Sequence, residues 1–172
     1  RDVYESAAKN PKRMGGAESA VYCIYTSGTT GQPKGSIIEN RSVVRLVKNT
    51  NYIELDSHTV ILQTGSMSFD ASTLEVWGSL LNGGKLVLAG QEVITDQKKL
   101  RELLGREKIN TMWMTSTLFN QMISEENDLF DSLEHLLIGG EKLSEDHVRI
   151  MKSRNNGVKL TNGYGPTENT TF

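Results

Sequence analysis

The sequence predicts an α/β fold, repeated βα units forming a largely parallel, helix-covered sheet. Two observations carry that expectation. Short β-patterned runs alternate with segments of helical apolar spacing along most of the chain, and capping residues or glycine stops fall at the joins between them. Strands that follow one another through helices pair in parallel, because a crossover helix returns the chain to the same end of the sheet.

The elements follow in order. Ala20-Val-Tyr-Cys-Ile-Tyr25 reads as a buried strand and Ser36-Ile-Ile38 as a second extended run, with a helix beginning near Asn40 to Ser42. Val43-Val-Arg-Leu-Val47 has the apolar spacing of that helix. Val60 to Thr64 is strand-like, Ser72 to Leu81 helix-like, and Gly83-Gly84 supplies the stop. Lys85 to Ala89 is the next strand, and Asp96 is placed to cap a helix bearing Leu100, Leu103 and Leu104. Ile109 to Met114 is a strand, after which Thr115 or Ser116 caps another helix. His135 to Ile138 is a strand ending at Gly139-Gly140, Ser144 caps a helix through Arg154, and Val158 to Thr161 is the last strand. The domain division expected is a lead-in over residues 1–19 and a partial core over 20–172, with no repeat or low-complexity segment.

Composition narrows the function classes. The chain has 172 residues, 37% of them hydrophobic, and a mean hydropathy of −0.40, as an ordinary globular domain has. A net charge of −2 and a pI near 6.0 supply no basic face, so no nucleic acid and no membrane is expected as a partner, and the expected location is cytoplasmic. The lone Cys23, inside an apolar run, is expected to be a small core residue in a reducing compartment. His58, His135 and His147 lack metal-ligand spacing and are expected at the surface or at caps.

The most informative stretch is Tyr25-Thr-Ser-Gly-Thr-Thr-Gly-Gln-Pro-Lys-Gly35. Gly28, Gly31 and Gly35 let backbone N–H groups approach an anion, Thr26, Ser27, Thr29 and Thr30 add hydroxyl donors, and Lys34 adds a positive charge. A nucleotide-triphosphatase phosphate loop is excluded, since there the lysine follows glycine, precedes Ser or Thr and opens a helix. Here Pro33 precedes Lys34, Gly35 follows it, and the loop joins strand to strand. On residue types alone two readings stand: a phosphate loop, or a hairpin turn stiffened by Pro33.

This string resembles the phosphate loop of the adenylate-forming superfamily. Phe69-Asp-Ala-Ser-Thr-Leu-Glu-Val-Trp77 looks like the substrate motif of its branch in nonribosomal peptide synthetases, and Asn162-Gly-Tyr-Gly-Pro-Thr-Glu168 like the nucleotide motif that follows. Three collinear strings make the resemblance specific, and it covers the chain from about Ala20 to Phe172. It implies an amino-acid-activating ligase using ATP and Mg²⁺, which would load a phosphopantetheine arm on a carrier-protein domain. The family's ribose-binding aspartate motif and C-terminal lysine are absent, so the expectation is a fragment that works joined to the remainder of the adenylation domain.

The resemblance further implies roles. Nucleotide would be held by Thr26, Ser27, Gly28, Thr29, Thr30, Gly31, Lys34, Gly140, Glu141, Asn162, Tyr164, Gly165 and Thr167, with Tyr164 on adenine opposite the Gly139-Gly140-Glu141 backbone. Lys34, Thr167 and Glu168 would serve the chemistry, Glu168 holding the metal. Phe69 and Asp70 belong to the substrate motif, where Asp70 would take a substrate ammonium. The specificity lining would be Ala71, Leu74, Trp113, Leu137, Gly139, Gly163 and Thr171 beside it. None of these seven is charged, Gly139 and Gly163 leave space and Trp113 fills it, a lining similar to valine-activating domains. Asp70 also reads as an N-cap for the following helix, and both roles can coexist. Two alternatives stay open: a binding subdomain incomplete as isolated, and an acyl-CoA synthetase-like ligase.

Overall fold

A computed structural model describes residues 12–27, 31–123, 128–154 and 157–172. It opens on an antiparallel hairpin, β1 (Ala20–Thr26) and β2 (Lys34–Glu39), in which Thr26 pairs with Lys34. Helix α1 (Asn40–Val47) follows, and then a sheet of β3 (Val60–Gln63), β4 (Lys85–Leu88), β5 (Thr111–Thr115), β6 (His135–Gly139) and β7 (Lys159–Gly163). All five strands are parallel in the order β4-β3-β5-β6-β7. Between them run α2 (Ala71–Leu80), α3 (Gln91–Ile94), α4 (Gln97–Glu107), α5 (Ser116–Ile123) and α6 (Glu145–Ser153), and a 3₁₀ turn, Thr167–Asn169, follows β7.

The alternation of side chains along a strand explains why helices cover both faces. Leu62, Met112, Met114, Leu136 and Ile138 project to one face and pack with Leu100, Leu104, Phe119, Met122 and Met151 of α4, α5 and α6. Leu137 and Trp113, on the intervening positions, face Leu46 and Val47 of α1 and Leu74 and Trp77 of α2. Asp96 caps α4 as its sequence position suggests, its carboxylate accepting from the Lys98 and Lys99 amides. Ser144 stands at the N-cap of α6, but its hydroxyl bonds His147 Nδ1 at 2.7 Å instead of a backbone amide.

Three expectations are corrected. β1 is not buried: Ala20, Cys23 and Tyr25 are exposed, Tyr25 at 70%, because among the described strands only β2 pairs with it and α2 meets its other face alone, where Tyr22 bonds Thr73. Cys23 is accordingly exposed and not a core residue. His135 is buried at the head of β6, and burial, reinforced by Lys159, lowers its pKa. The lead-in is exposed over residues 12–18 yet tied down, since the Ala17 carbonyl accepts from the Arg41 amide and the Gly16 carbonyl from Asn40 Nδ2. The short α3 had no sequence signal, four residues being too few to show a period.

Asn110, just before β5, ties three strands at their start. Its Oδ1 accepts from the Val60 amide at 2.8 Å, its backbone carbonyl accepts from Glu134 and His135, and its Nδ2 donates to the His58 carbonyl. Asn110→Ala leaves the Val60 amide and His58 carbonyl without these partners, and a loss of about 1–3 kcal/mol of unfolding free energy is expected by urea titration. An unchanged midpoint would show that water replaces the side chain at no cost.

Candidate active site

Parallel pairing sets Thr115, Gly139 and Gly163 side by side at the carbonyl ends of β5, β6 and β7. A cleft of about 580 Å³ opens above this row. Its walls are the Gly65-Ser66 turn after β3, the start of α2 at Asp70 and Ala71, Trp113 on β5, Thr117 of α5, the Gly140-Glu141 turn, and the loop from Gly163 to Phe172. An adjoining cleft of about 490 Å³ shares Gly140, Glu141, Gly163 and Gly165 and adds Asn162 and Tyr164.

The structure therefore brings together Phe69, Asp70, Ala71, Trp113, Gly163, Thr171, Thr167, Gly140, Glu141 and Gly165 on one cleft, with Asn162 and Tyr164 next to it. Asp70 takes the N-cap position of α2, but with helical backbone (φ −62°, ψ −29°) and no capping hydrogen bond from its side chain. Its Oδ2 instead accepts the Thr167 hydroxyl at 2.6 Å across the cleft. Its backbone carbonyl accepts the Thr171 hydroxyl at 3.0 Å, which fixes the start of α2 against the last loop. Opposite, Glu141 is held by Thr117 Oγ1 at 2.8 Å, while the Ser116 hydroxyl donates to the Gly139 and Glu141 carbonyls.

Other expected residues fall elsewhere. Leu74 and Leu137 are 1% exposed and belong to the small core beneath the cleft, so they back Trp113 and do not line the cleft. The space expected at Gly139 does not exist: a Cβ there would stand 2.4 Å from the Gly163 carbonyl oxygen, so β7 backbone occupies it. At Gly163 a Cβ would meet the Phe172 ring at 3.2 Å, so Phe172 supplies that wall. Gly140 has φ +85° and nothing within 4 Å of where a Cβ would be, leaving a bare backbone surface facing the cleft that Tyr164, 90% exposed, also lines. Thr26, Ser27, Gly31 and Lys34 lie on the hairpin and not on the cleft lining; β2 nevertheless packs against the 3₁₀ turn carrying Thr167 and Glu168. Gly28, Thr29 and Thr30 lie outside the described residues.

Glu168 is exposed, and among the described residues no group of three His, Cys, Asp or Glu could hold a metal. A single accessible carboxylate suits Mg²⁺, which keeps waters and takes its other oxygens from phosphates. Glu75 was not singled out in the sequence. It is wholly buried on α2, its Oε1 accepting from the Thr64 amide, the Thr64 hydroxyl at 2.8 Å and the Gly65 amide, while Thr64 Oγ1 also reaches the Trp113 carbonyl at 2.7 Å. Glu75 thereby braces the Gly65-Ser66 wall. The signal available was a lone carboxylate inside the apolar run Leu74-Glu-Val-Trp77.

Burial pushes the Glu75 carboxyl from 4.5 up to about 7, against the Thr64 and Gly65 hydrogen bonds, which favour its anion. The folded state then holds a proton that the unfolded chain releases between these values, so stability is greatest at low pH and falls as pH rises through about 7. The loss is on the order of 3 kcal/mol. Urea midpoints of the parent should drop between about pH 5 and about pH 8. In Glu75→Gln this part of the slope should vanish; an equal slope in both would assign the pH dependence to other groups.

Among the described residues no helix is long and apolar enough to cross a membrane. The family model for AMP-binding enzymes matches residues 2–172. The chain is 47% identical to tyrocidine synthase 3 of Brevibacillus parabrevis over 95% of its own length, and 44% identical to gramicidin S synthase 2 of Brevibacillus brevis over 99%. It spans only 2% and 4% of these two relatives. Among solved structures it superposes with a TM-score of 0.88 and 38% identity on holo-PA1221, a nonribosomal peptide synthetase protein containing adenylation and PCP domains bound to a vinylsulfonamide inhibitor, covering 97% of this chain and 29% of that one. The N-terminal subdomain of Klebsiella oxytoca NpsA, at 23% identity, TM-score 0.83 and coverage of 94% and 40%, shares the fold. With its whole length but the first residue matched and its cleft built from the strand ends of the same sheet, the chain belongs to the AMP-binding enzyme family, in the adenylation branch found in nonribosomal peptide synthetases.

Proposed function

We propose that this chain is the substrate and nucleotide cleft of an amino-acid-activating enzyme, which converts ATP and an amino acid to aminoacyl-AMP and pyrophosphate. The observation that carries the reading is Asp70, a carboxylate on the cleft wall that does not cap its helix. A helix-start aspartate usually spends its oxygens on backbone amides. One that faces a cleft instead is available to an ammonium taken out of water.

In this reading the amino acid sits between Asp70 and Trp113, and the nucleotide lies along Gly140, Glu141 and Tyr164. The bare Gly140 backbone and the exposed Tyr164 ring, on one cleft, suit the two faces of a flat base. The substrate carboxylate attacks the α-phosphorus in line and pyrophosphate departs, so no side-chain nucleophile is needed. Thr167 contacts the α-phosphate, Glu168 would hold Mg²⁺, which would supply charge neutralisation for the phosphates, and Lys34 with the loop after β1 serves the departing phosphates. Transfer to a phosphopantetheine thiol on a carrier domain would follow, with the remainder of the adenylation domain completing the site.

For the side chain we infer valine or a similar branched aliphatic. Ala71, Trp113 and Phe172 give that end of the cleft an apolar lining, and Thr171 has its hydroxyl engaged by backbone carbonyls. One methylene in such a pocket is worth only about 1–3 kcal/mol, so isoleucine and leucine should be used weakly, and charged side chains rejected.

Amino-acid-dependent pyrophosphate exchange by the full-length enzyme tests this reading. Valine should lead, and Trp113→Ala should shift preference toward larger side chains. A charged favourite would refute the pocket; exchange with amine-free acids alone would favour an acyl-CoA synthetase-like ligase. Lys34→Ala should slow exchange more than it weakens amino-acid binding, and an unchanged rate would remove Lys34 from the chemistry.

Asp70→Asn should weaken free amino acids by about 3–5 kcal/mol, because it strands the ammonium, and leave amine-free acids much less affected. Equal losses with both classes would make Asp70 a structural residue.

A further inference from the structure

The amino-acid and phosphate ends of the cleft are joined by one hydrogen bond, from Thr167 Oγ1 to Asp70 Oδ2 at 2.6 Å. Among the described residues it is the only hydrogen bond or ion pair to the Asp70 carboxylate, whose helix position brings it no capping amide. The backbone on both sides is held separately. Thr171 Oγ1 donates to the Asp70 carbonyl, and within the 3₁₀ turn the Asn169 amide donates to Pro166 and the Thr170 amide to Thr167. The mobile part of this link is therefore the Thr167 hydroxyl, which is half-buried and can turn without moving either chain segment.

A threonine hydroxyl has a single proton to donate. While that proton is on Asp70, the oxygen presents lone pairs to whatever else enters the cleft, and lone pairs repel a phosphate oxygen. The nearby Asp70 charge opposes an incoming phosphate as well. An ammonium arriving at Asp70 changes both conditions: it cancels the carboxylate charge and brings up to three donors that compete for the same oxygens. The hydroxyl proton is then free to turn outward.

We infer that the Thr167 hydroxyl is a one-proton switch that couples the two substrates of this site: it donates to Asp70 when the amino-acid end is empty and to the α-phosphate once an ammonium has taken its place. This rests on the adenylation reading above and adds a regulation to it. The enzyme engages the reacting phosphate fully only when an amine-bearing substrate is present, which limits futile use of ATP with acids that lack the amine. No bond is made or broken in the switch beyond the exchange of hydrogen-bond partners. By linkage the effect is reciprocal, so nucleotide must tighten the amino acid by the same factor.

The test measures ligand coupling in the full-length enzyme, with α,β-methylene-ATP as the uncleavable nucleotide. Its Kd is determined alone, with saturating valine, and with 3-methylbutanoate, the amine-free counterpart. Valine should tighten the nucleotide analogue by at least about fivefold, the low end of ordinary allosteric coupling, and 3-methylbutanoate by much less. Thr167→Ser, which keeps the hydroxyl, should retain the coupling, and Thr167→Val should abolish it. A further readout separates the switch from simple damage. In Thr167→Val the ammonium no longer competes with a hydroxyl for Asp70, so valine alone should bind more tightly than to the parent, whereas a damaged fold would bind it more weakly.

Coupling that persists in Thr167→Val, coupling of equal size with 3-methylbutanoate, or weaker valine binding in a Thr167→Val enzyme that keeps the parent's urea midpoint would each overturn the switch. The adenylation reading would still stand if the parent enzyme catalysed pyrophosphate exchange with valine. Absence of any amino-acid binding or exchange in the parent would instead remove that reading, and the switch with it.

Discussion

In a parallel sheet every strand delivers its carbonyl end to the same edge, and the alignment of Thr115, Gly139 and Gly163 across β5, β6 and β7 is the constraint from which the rest of the molecule follows. Each strand must leave that edge through a turn before its helix, so the turns collect there and enclose a cleft. The pairing also explains why glycine stands at Gly139: the neighbouring strand's carbonyl lies where a side chain would begin. A residue that looked like an opening in a pocket is thus a condition of sheet closure, and the pocket's shape passes to Trp113 and Phe172.

The polar groups around the cleft divide into those spent on architecture and those left available. Glu75, Ser116, Thr117 and Thr171 direct their oxygens to neighbouring turns and hold the walls at fixed separations. Glu75 is the costly member, because its carboxyl is buried with Oε2 lacking a partner among the described residues. Asp70, Thr167, Tyr164 and Glu168 are the available ones. They lie at or beside the last loop and the start of α2.

Much of this was legible in the residues. The five sheet strands lie within two residues of where the sequence put them, since short apolar runs such as Leu136-Leu137-Ile138, stopped by Gly139-Gly140, are of strand and not helix length. Asp70, Thr167 and Tyr164 were picked out through motif resemblance, and no periodicity would have singled them out. What stayed hidden depends on three-dimensional neighbours. The apolar look of Ala20 to Tyr25 does not tell which face finds a partner, which is why β1 and Cys23 were misplaced. Leu74 and Leu137 could not be separated from Trp113 by type, because all three are apolar and share one cluster on one face of the sheet, where Leu74 and Leu137 are covered completely while Trp113 stays partly open to the cleft. Phe172 gave no local signal; its ring lines the cleft because Gly163 makes room for it.

The central claim is that a carboxylate bound at this cleft attacks the α-phosphorus of ATP. Its most direct test supplies the full-length enzyme with amino acid carrying heavy oxygen in its carboxylate, traps the activated product with hydroxylamine, and locates the label by mass spectrometry of the nucleotide and phosphate products. Attack at the α-phosphorus predicts one labelled oxygen in AMP and none in pyrophosphate. Label in inorganic phosphate or pyrophosphate, or AMP formed without it, would contradict the account.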